Sequence, residues 1–421
     1  MKIAIIGTGI AGNVAAYHLN KEHDIAVFEA NDYIGGHTHT HDIVNNEQQH
    51  AIDTGFIVFN YKTYPLFTQL LKELDVEVQP SSMSFSVKCE KSGLEYNGTT
   101  LNSLFAQRSN LFRPSFYGMI RDILRFNREA IALLDSDESN IPLGDFLYQG
   151  GYGREFIEQY LIPMGAAIWS ADPLMMMKFP AGFFVRFFHN HGMLSVDDRP
   201  TWHVIKGGSK EYVKKLVAPF RSKIQTNAAV HAVKRLPHGV EILLNDGNRQ
   251  LFDHVFIATH SDQALKLLQD ASDTEKQVLG SIPYQKNEAV LHTDSNLLPK
   301  RKLAWAAWNY HILPQTQNRV ALTYNMNILQ GLQSDSTFCV TLNNSHAIDE
   351  NKIIKRIEYA HPVFTPEGVQ AQQRQAEING VNRTYFCGAY WRFGFHEYGV
   401  WSAMNALQHF EENSNAQLLL H

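Results

Sequence analysis

Gly7, Gly9 and Gly12 stand in the order G-x-G-x-x-G, and Glu29 follows Gly12 by 17 residues. Gly7 frees the chain for a tight turn out of a strand. Gly9 removes a side chain where a pyrophosphate must approach the backbone, and Gly12 lets a helix pack against the strand. Ile10 and Ala11, between the second and third glycines, are cofactor-binding candidates of the same turn, and the N-terminal N–H groups and partial positive charge of the helix that follows suit phosphate. A carboxylate at Glu29 accepts both hydroxyls of a ribose and disfavours a 2′-phosphate, which argues against NADP.

These residues need elements to hold them. Residues 3–6 (Ile-Ala-Ile-Ile) form a short continuous apolar run, as a buried parallel strand requires. A helix is expected to about Leu19, and residues 25–28 give a second strand ending at Glu29. The glycine pattern alone is a weak signal, but set in such a βαβ unit it points to a dinucleotide. Further along, helices are expected at 62–75, 115–135, 153–165 and 399–412. Strands are expected within 84–96 and 228–257, in a largely extended 285–345, and at 384–388.

At 421 residues the chain exceeds one ordinary core, so two domains are expected. With no linker or repeat, they share the chain discontinuously. A net charge of −5 offers no basic excess for nucleic acid. Cys89, Cys339 and Cys387 are far apart and odd in number, so neither a disulfide framework nor a zinc motif follows. MKIAIIG is too short for a signal core, and no run of 18 apolar residues predicts a spanning helix. A cytoplasmic location is expected, with a peripheral place on the inner membrane face as the alternative.

The segment EANDYIGGHTHT carries Glu29-Ala30, a spacer, then Gly35-Gly36-His37-Thr38. Asp53-Thr54-Gly55-Phe56 and Lys206-Gly207-Gly208-Ser209 follow. The C-terminal part reads Tyr385-Phe386-Cys387-Gly388, then Gly394-Phe395-His396-Glu397-Tyr398-Gly399-Val400. In this order the segments resemble the flavin amine oxidase and phytoene desaturase superfamily. The resemblance implies FAD and an α/β fold. A Rossmann-like FAD-binding domain of the glutathione-reductase and amine-oxidase type (1–60, 200–265, 380–421) would join a discontinuous α+β substrate domain (61–199, 266–379). It also implies that Gly55 and Phe56 pass near the flavin ring and that the Val230 backbone touches adenine. Gly388, Gly399 and Val400 would belong to the closing turn and helix, whose N-terminus faces the flavin pyrimidine. His37 stands where the family usually has Arg, so no strong ionic phosphate clamp is expected there. RFFHNHGML, KGGS and GFHEYGVWSAMNAL resemble, more narrowly, bacterial flavoproteins similar to the N-terminal part of plant cyclopropane fatty acid synthases.

A flavin takes a hydride, so the protein must place a C–H bond and exclude water rather than supply a nucleophile. The resemblance puts Trp391, Phe395, His396, Glu397 and Tyr398 nearest the ring. The aromatics would sandwich substrate, and His396 or Glu397 would move a proton. Glu397 reads equally as a helix N-terminal acid favoured by the dipole. His37, His39, His41 and His50 mimic a metal tract, but the loop is already assigned to the cofactor and no Cys accompanies it, so no metal is expected. Cys387 reads as an apolar strand residue, and His189 and His191 as core histidines. Lys286 falls near where some amine oxidases hold a water with a lysine, in an ambiguous register. The aromatic run 178–195 fits a lipid tunnel or membrane-dipping face and a buried helix equally.

Three functions compete: oxidation or desaturation of an apolar small molecule such as a fatty acyl or isoprenoid-like chain, amine oxidation yielding peroxide, and flavin-free lipid escort. The intact glycines and Glu29 argue against the last. Electron acceptor and oligomeric state are left unassigned by the sequence.

Overall fold

The computed structural model describes residues 1–135, 141–195, 200–315 and 318–418. Strand Lys2–Ile6 is the centre of a five-stranded parallel sheet, between Asp24–Phe28 and His254–Ile257. Ile224–Gln225 and Thr384–Phe386 form its edges. In chain order the strands run 3-2-1-4-5, and the order reverses beside the first strand, where such sheets bind ligands.

The apolar run is continuous because both faces are covered. Ile3 and Ile5 pack with the helices Ile10–Leu19 and His396–Leu418. Ala4 and Ile6 pack with Val240, Ile242 and Phe252 of a three-stranded antiparallel sheet over 230–252.

A second sheet has seven strands, ordered Ile353–Pro362, Tyr284–His292, Cys339–Leu342, Leu322–Asn325, Trp308–Ile312, Phe85–Cys89 and Leu94–Asn97. Its pairings are antiparallel except that between Trp308–Ile312 and Phe85–Cys89. Helices Pro114–Glu129 and Ala181–Asn190 share a core with it that includes Val87, Phe126, Phe184 and Leu322.

Several elements differ from expectation. The last helix starts at His396, three residues early, because Gly394 turns the chain at φ +85° and the Phe395 carbonyl accepts from Tyr398 and Gly399. The helical stretch from Arg154 runs on to Trp169 with a π-turn at Ile157–Leu161. Pro163, which has no N–H, sits just beyond that turn. The stretch 285–345 also holds a short helix, Met326–Leu329, and 3₁₀ turns. A hairpin, Thr40–Asn45 with Gln48–Asp53, turns on Asn46 and Glu47, both at positive φ as a two-residue hairpin loop requires. The aromatic run is the buried helix. Phe179, Phe184 and Phe188 are at most 1% exposed, so it presents no membrane-dipping face. Among the described residues no helix is long and apolar enough to cross a membrane.

Candidate functional site

One cavity of about 1140 Å³ runs from the carboxyl ends of the parallel strands into the second sheet. That exceeds the roughly 300–1,000 Å³ of an ordinary small-molecule pocket, so it has room for a dinucleotide and a substrate together.

Its inner half is lined by Gly7, Gly9, Ile10, Ala11, Glu29, Ala30, Gly36, His37, Gly55, Phe56, Val230 and Gly388. A Cβ on Gly9 would meet nothing within 4 Å, so this glycine faces open space. Gly36, at φ +60°, brings the second loop against Gly9, where a Cβ would lie 3.1 Å from the Gly9 Cα. A Cβ on Gly55 would lie 2.1 Å from the His37 carbonyl oxygen, and that oxygen accepts from the Phe56 N–H at 2.7 Å. Glu29 is tied in place: Oε2 accepts from the Thr8 N–H (3.0 Å) and hydroxyl (2.5 Å), and Oε1 from Asn31.

Other glycines and neighbours serve packing rather than the wall. A Cβ on Gly12 would stand 2.0 Å from the Gly7 carbonyl oxygen. One on Gly35 would meet the Thr38 carbonyl, and one on Gly399 would press into Ile10 at 2.5 Å. Val400 lies in the core beside the first helix. The Thr38 hydroxyl is buried between Tyr212 OH (2.6 Å) and His396 Nε2 (3.0 Å).

The first turn of the last helix sorts three of the four residues expected to do chemistry. Successive helical residues point about 100° apart, so only His396 of the run 396–398 reaches the cavity. Its ring stacks on Phe56 at 3.6 Å, and burial holds it neutral, down to about 3. It is therefore not expected to titrate above about pH 4, which its NMR Cε1–H shift would show.

Glu397 points away. Its carboxylate accepts from the Leu66 and Phe67 N–H groups at 3.1 and 2.9 Å and caps the helix Pro65–Glu73. Burial raises this carboxyl in spite of the two donors. Glu397→Ala is expected to cost about 1–2 kcal/mol in chemical denaturation, as loss of a cap does, and to leave the flavin reduction rate within about twofold, as expected for a group outside the site. Trp391 is 1% exposed in the core and donates its Nε1–H to the Phe386 carbonyl. Tyr398 packs on Phe393. Neither is part of the cavity wall.

Histidines gather around His37. His37 lies 5.4 Å from His361 and 5.9 Å from His260, ring to ring, and stacks on Tyr359. Burial, then the neighbouring imidazoles, holds His37 well below its ordinary range, and its Nε2 is buried without a partner. His39 stacks on Tyr33, and His41 meets the Thr54 hydroxyl. His191 is buried and stacks on Phe187, whereas His189 is exposed rather than in the core. Cys387 is buried, which pushes its thiol up to about 12. Lys286 pairs with Glu358, both about two-thirds exposed.

Sequence reading missed Thr8, although it sits inside the glycine pattern. It quoted Asp53 with the segment before Gly55 but not its role: the buried carboxylate accepts from Ser209, Thr40 and Gln330 and locks the hairpin to the Gly207-Gly208 turn. Burial pushes that acid up to about 6 against those donors. The outer half of the cavity was largely missed too. It is lined by Phe85, Trp169, Trp308, Tyr324, Phe364 and Phe393, with Phe187 from the aromatic helix.

The open space over Gly9, the paired loops and the orphaned His37 Nε2 fit the phosphate-bearing part of FAD. The sequence matches the family described as flavin-containing amine oxidoreductases over residues 10–312. Cyclohexylamine oxidase from Brevibacterium oxydans superposes with a TM-score of 0.71 at 16% identity, covering 98% of this chain and 99% of that one. A CLA-producing fatty acid isomerase from P. acnes gives 0.70 at 15%, covering 97% and 98%. Putrescine oxidase bound to putrescine gives 0.67 at 15%, covering 98% and 99%. These three share the fold, and the match over 10–312 carries the conclusion: the chain belongs to the flavin-containing amine oxidoreductases and is an FAD-dependent oxidoreductase.

Proposed function

We propose that the enzyme removes hydride from an apolar chain, of fatty acyl or isoprenoid-like type, bound in the outer half of the cavity. The reading rests on one observation. Among the described residues lining the cavity, the carboxylates are Glu29, engaged by Thr8 and Asn31, and Glu358, paired with Lys286 at the surface. An ammonium drawn into the outer half would lose its water and find no carboxylate among the described lining residues there, at a cost of several kcal/mol that a ring face offsets only in part. A hydrocarbon chain meets aromatic rings and methionines and pays no such penalty.

In this reading Gly7, Gly9, Ile10, Ala11, Glu29, Ala30, Gly36, His37, Gly55, Phe56, Val230 and Gly388 hold FAD, which supplies the hydride acceptor when bound. Gly12, Gly35, Thr38, Gly399 and Val400 keep those elements in register. Trp169, Phe187, Phe364 and Phe393 exclude water from the reacting C–H bond. His396 stays neutral and orients Phe56, so no protein proton donor is assigned.

Anaerobic stopped-flow mixing with long-chain unsaturated fatty acids, a polyprenyl alcohol, cyclohexylamine and putrescine tests this. Bleaching of the flavin by a long chain, at least about tenfold faster than by either amine, is the expected result. Bleaching by the amines alone, with peroxide released in air, would transfer the assignment to amine oxidation.

A further inference from the structure

Exposed apolar side chains concentrate beside one mouth of the cavity. Phe112 is 87% and Leu101 77% exposed, with Leu111, Tyr117 and Leu124 around them. The Tyr117 hydroxyl donates to the Leu111 carbonyl at 3.1 Å and fixes the turn Arg108–Phe112 against the helix Pro114–Glu129. On that helix Tyr117, Arg121, Leu124 and Arg128 fall at i, i+4, i+7 and i+11, one outward stripe. The opposite stripe, with Phe116, Met119 and Phe126, is buried.

Charge follows the same surface. Arg108 and Arg113 bond only to carbonyl and amide oxygens, with no carboxylate partner among the described residues. Of the two acids between residues 98 and 129, Asp122 is buried, accepts from the Gly153 N–H and lies 3.7 Å from Arg121, and Glu129 lies 3.9 Å from Arg128, so five arginines meet two carboxylates. Lys300 and Lys302 stand exposed on the turn next to Leu101–Leu104. A chain of net charge −5 therefore carries a local basic face. Gly98 and Thr99, immediately before it, are exposed and also line the cavity.

We propose that this face docks on an anionic lipid bilayer and that the substrate enters from the acyl region at Gly98 and Thr99. Apolar side chains ringed by arginines on a convex turn and helix match the boundary between acyl chains and anionic headgroups. The entry route rests on the apolar-substrate reading, whereas the docking does not.

Co-sedimentation of the FAD-loaded enzyme with vesicles tests the docking. Equal parts of phosphatidylglycerol and phosphatidylcholine should bind it, and raised salt or pure phosphatidylcholine should release it. Phe112→Glu with Arg121→Glu, both at exposed positions, should weaken binding at least about tenfold, as loss of an apolar anchor and a basic contact implies, with the flavin spectrum unchanged. Enzyme left in the supernatant, or the double variant binding like the parent, would overturn the proposal. So would a parent dimer in solution that the double variant dissociates, since a second copy would then cover this face. Vesicle binding retained by an enzyme that only amines reduce would overturn the substrate reading and leave the docking standing.

Discussion

Gly9→Val should give a folded protein that has lost FAD. Gly9 has φ −64° and ψ 177°, an extended conformation open to any side chain, and its Cβ would enter empty cavity. The folded chain therefore loses only about 1 kcal/mol for a poorer helix cap. A valine there fills the space over the phosphate-binding turn, so FAD affinity should fall by at least roughly 100-fold, near 2.8 kcal/mol. Gly12→Ala separates the two effects. Its methyl would stand 2.0 Å from the Gly7 carbonyl oxygen, so it should lower stability before it touches the cofactor. Flavin fluorescence titration and denaturation of the apoprotein, run on both variants, read the two losses independently. A Gly9→Val protein that keeps its flavin would remove this turn from the binding site.

Arg235→Met should be the most destabilising change away from the cavity. The Arg235 side chain is 2% exposed and reaches Glu275, which is fully buried, by two bonds, and Asp270 by two more. Burial pushes the Glu275 carboxyl up, but Arg235 and the Ser272 donors outweigh it and hold the group below its usual range. Removing the guanidinium leaves a buried carboxylate with Ser272 alone, a loss of about 3–5 kcal/mol. The pH dependence should change sign. In the parent, Glu275 titrates lower when folded, so its contribution is present above the unfolded carboxylate range and fades as acid protonates it. In Arg235→Met the folded carboxyl titrates above that range, so acidification from neutral should narrow the gap to the parent. Glu275→Gln added to Arg235→Met should recover part of the loss at neutral pH. Urea denaturation across pH measures both trends.

The cofactor side was legible because its signals are local. The glycines, the apolar strands and Glu29 lie within thirty residues, and each glycine meets a definite contact or void. The chemistry at the far end was misplaced by a shift of three residues. With a helix beginning at Gly399, residues 391–398 read as a loop facing substrate. With the helix beginning at His396, Glu397 and Tyr398 turn away and Trp391 falls into the core. The outer cavity was illegible for a different reason. Phe85 and Trp308 face each other only because two strands more than two hundred residues apart pair in parallel, and no local periodicity encodes that pairing.

The central sheet places its second strand at Asp24–Phe28 and its last at Thr384–Phe386. On a ribosome adding about 5–20 residues per second, roughly 20–70 s separate the two. The phosphate-binding turn thus emerges early and waits, with its edge strand and closing helix still unmade. Flavin capture therefore waits on the closing helix His396–Leu418, and nascent chains arrested before it should bind FAD more weakly than chains that carry it.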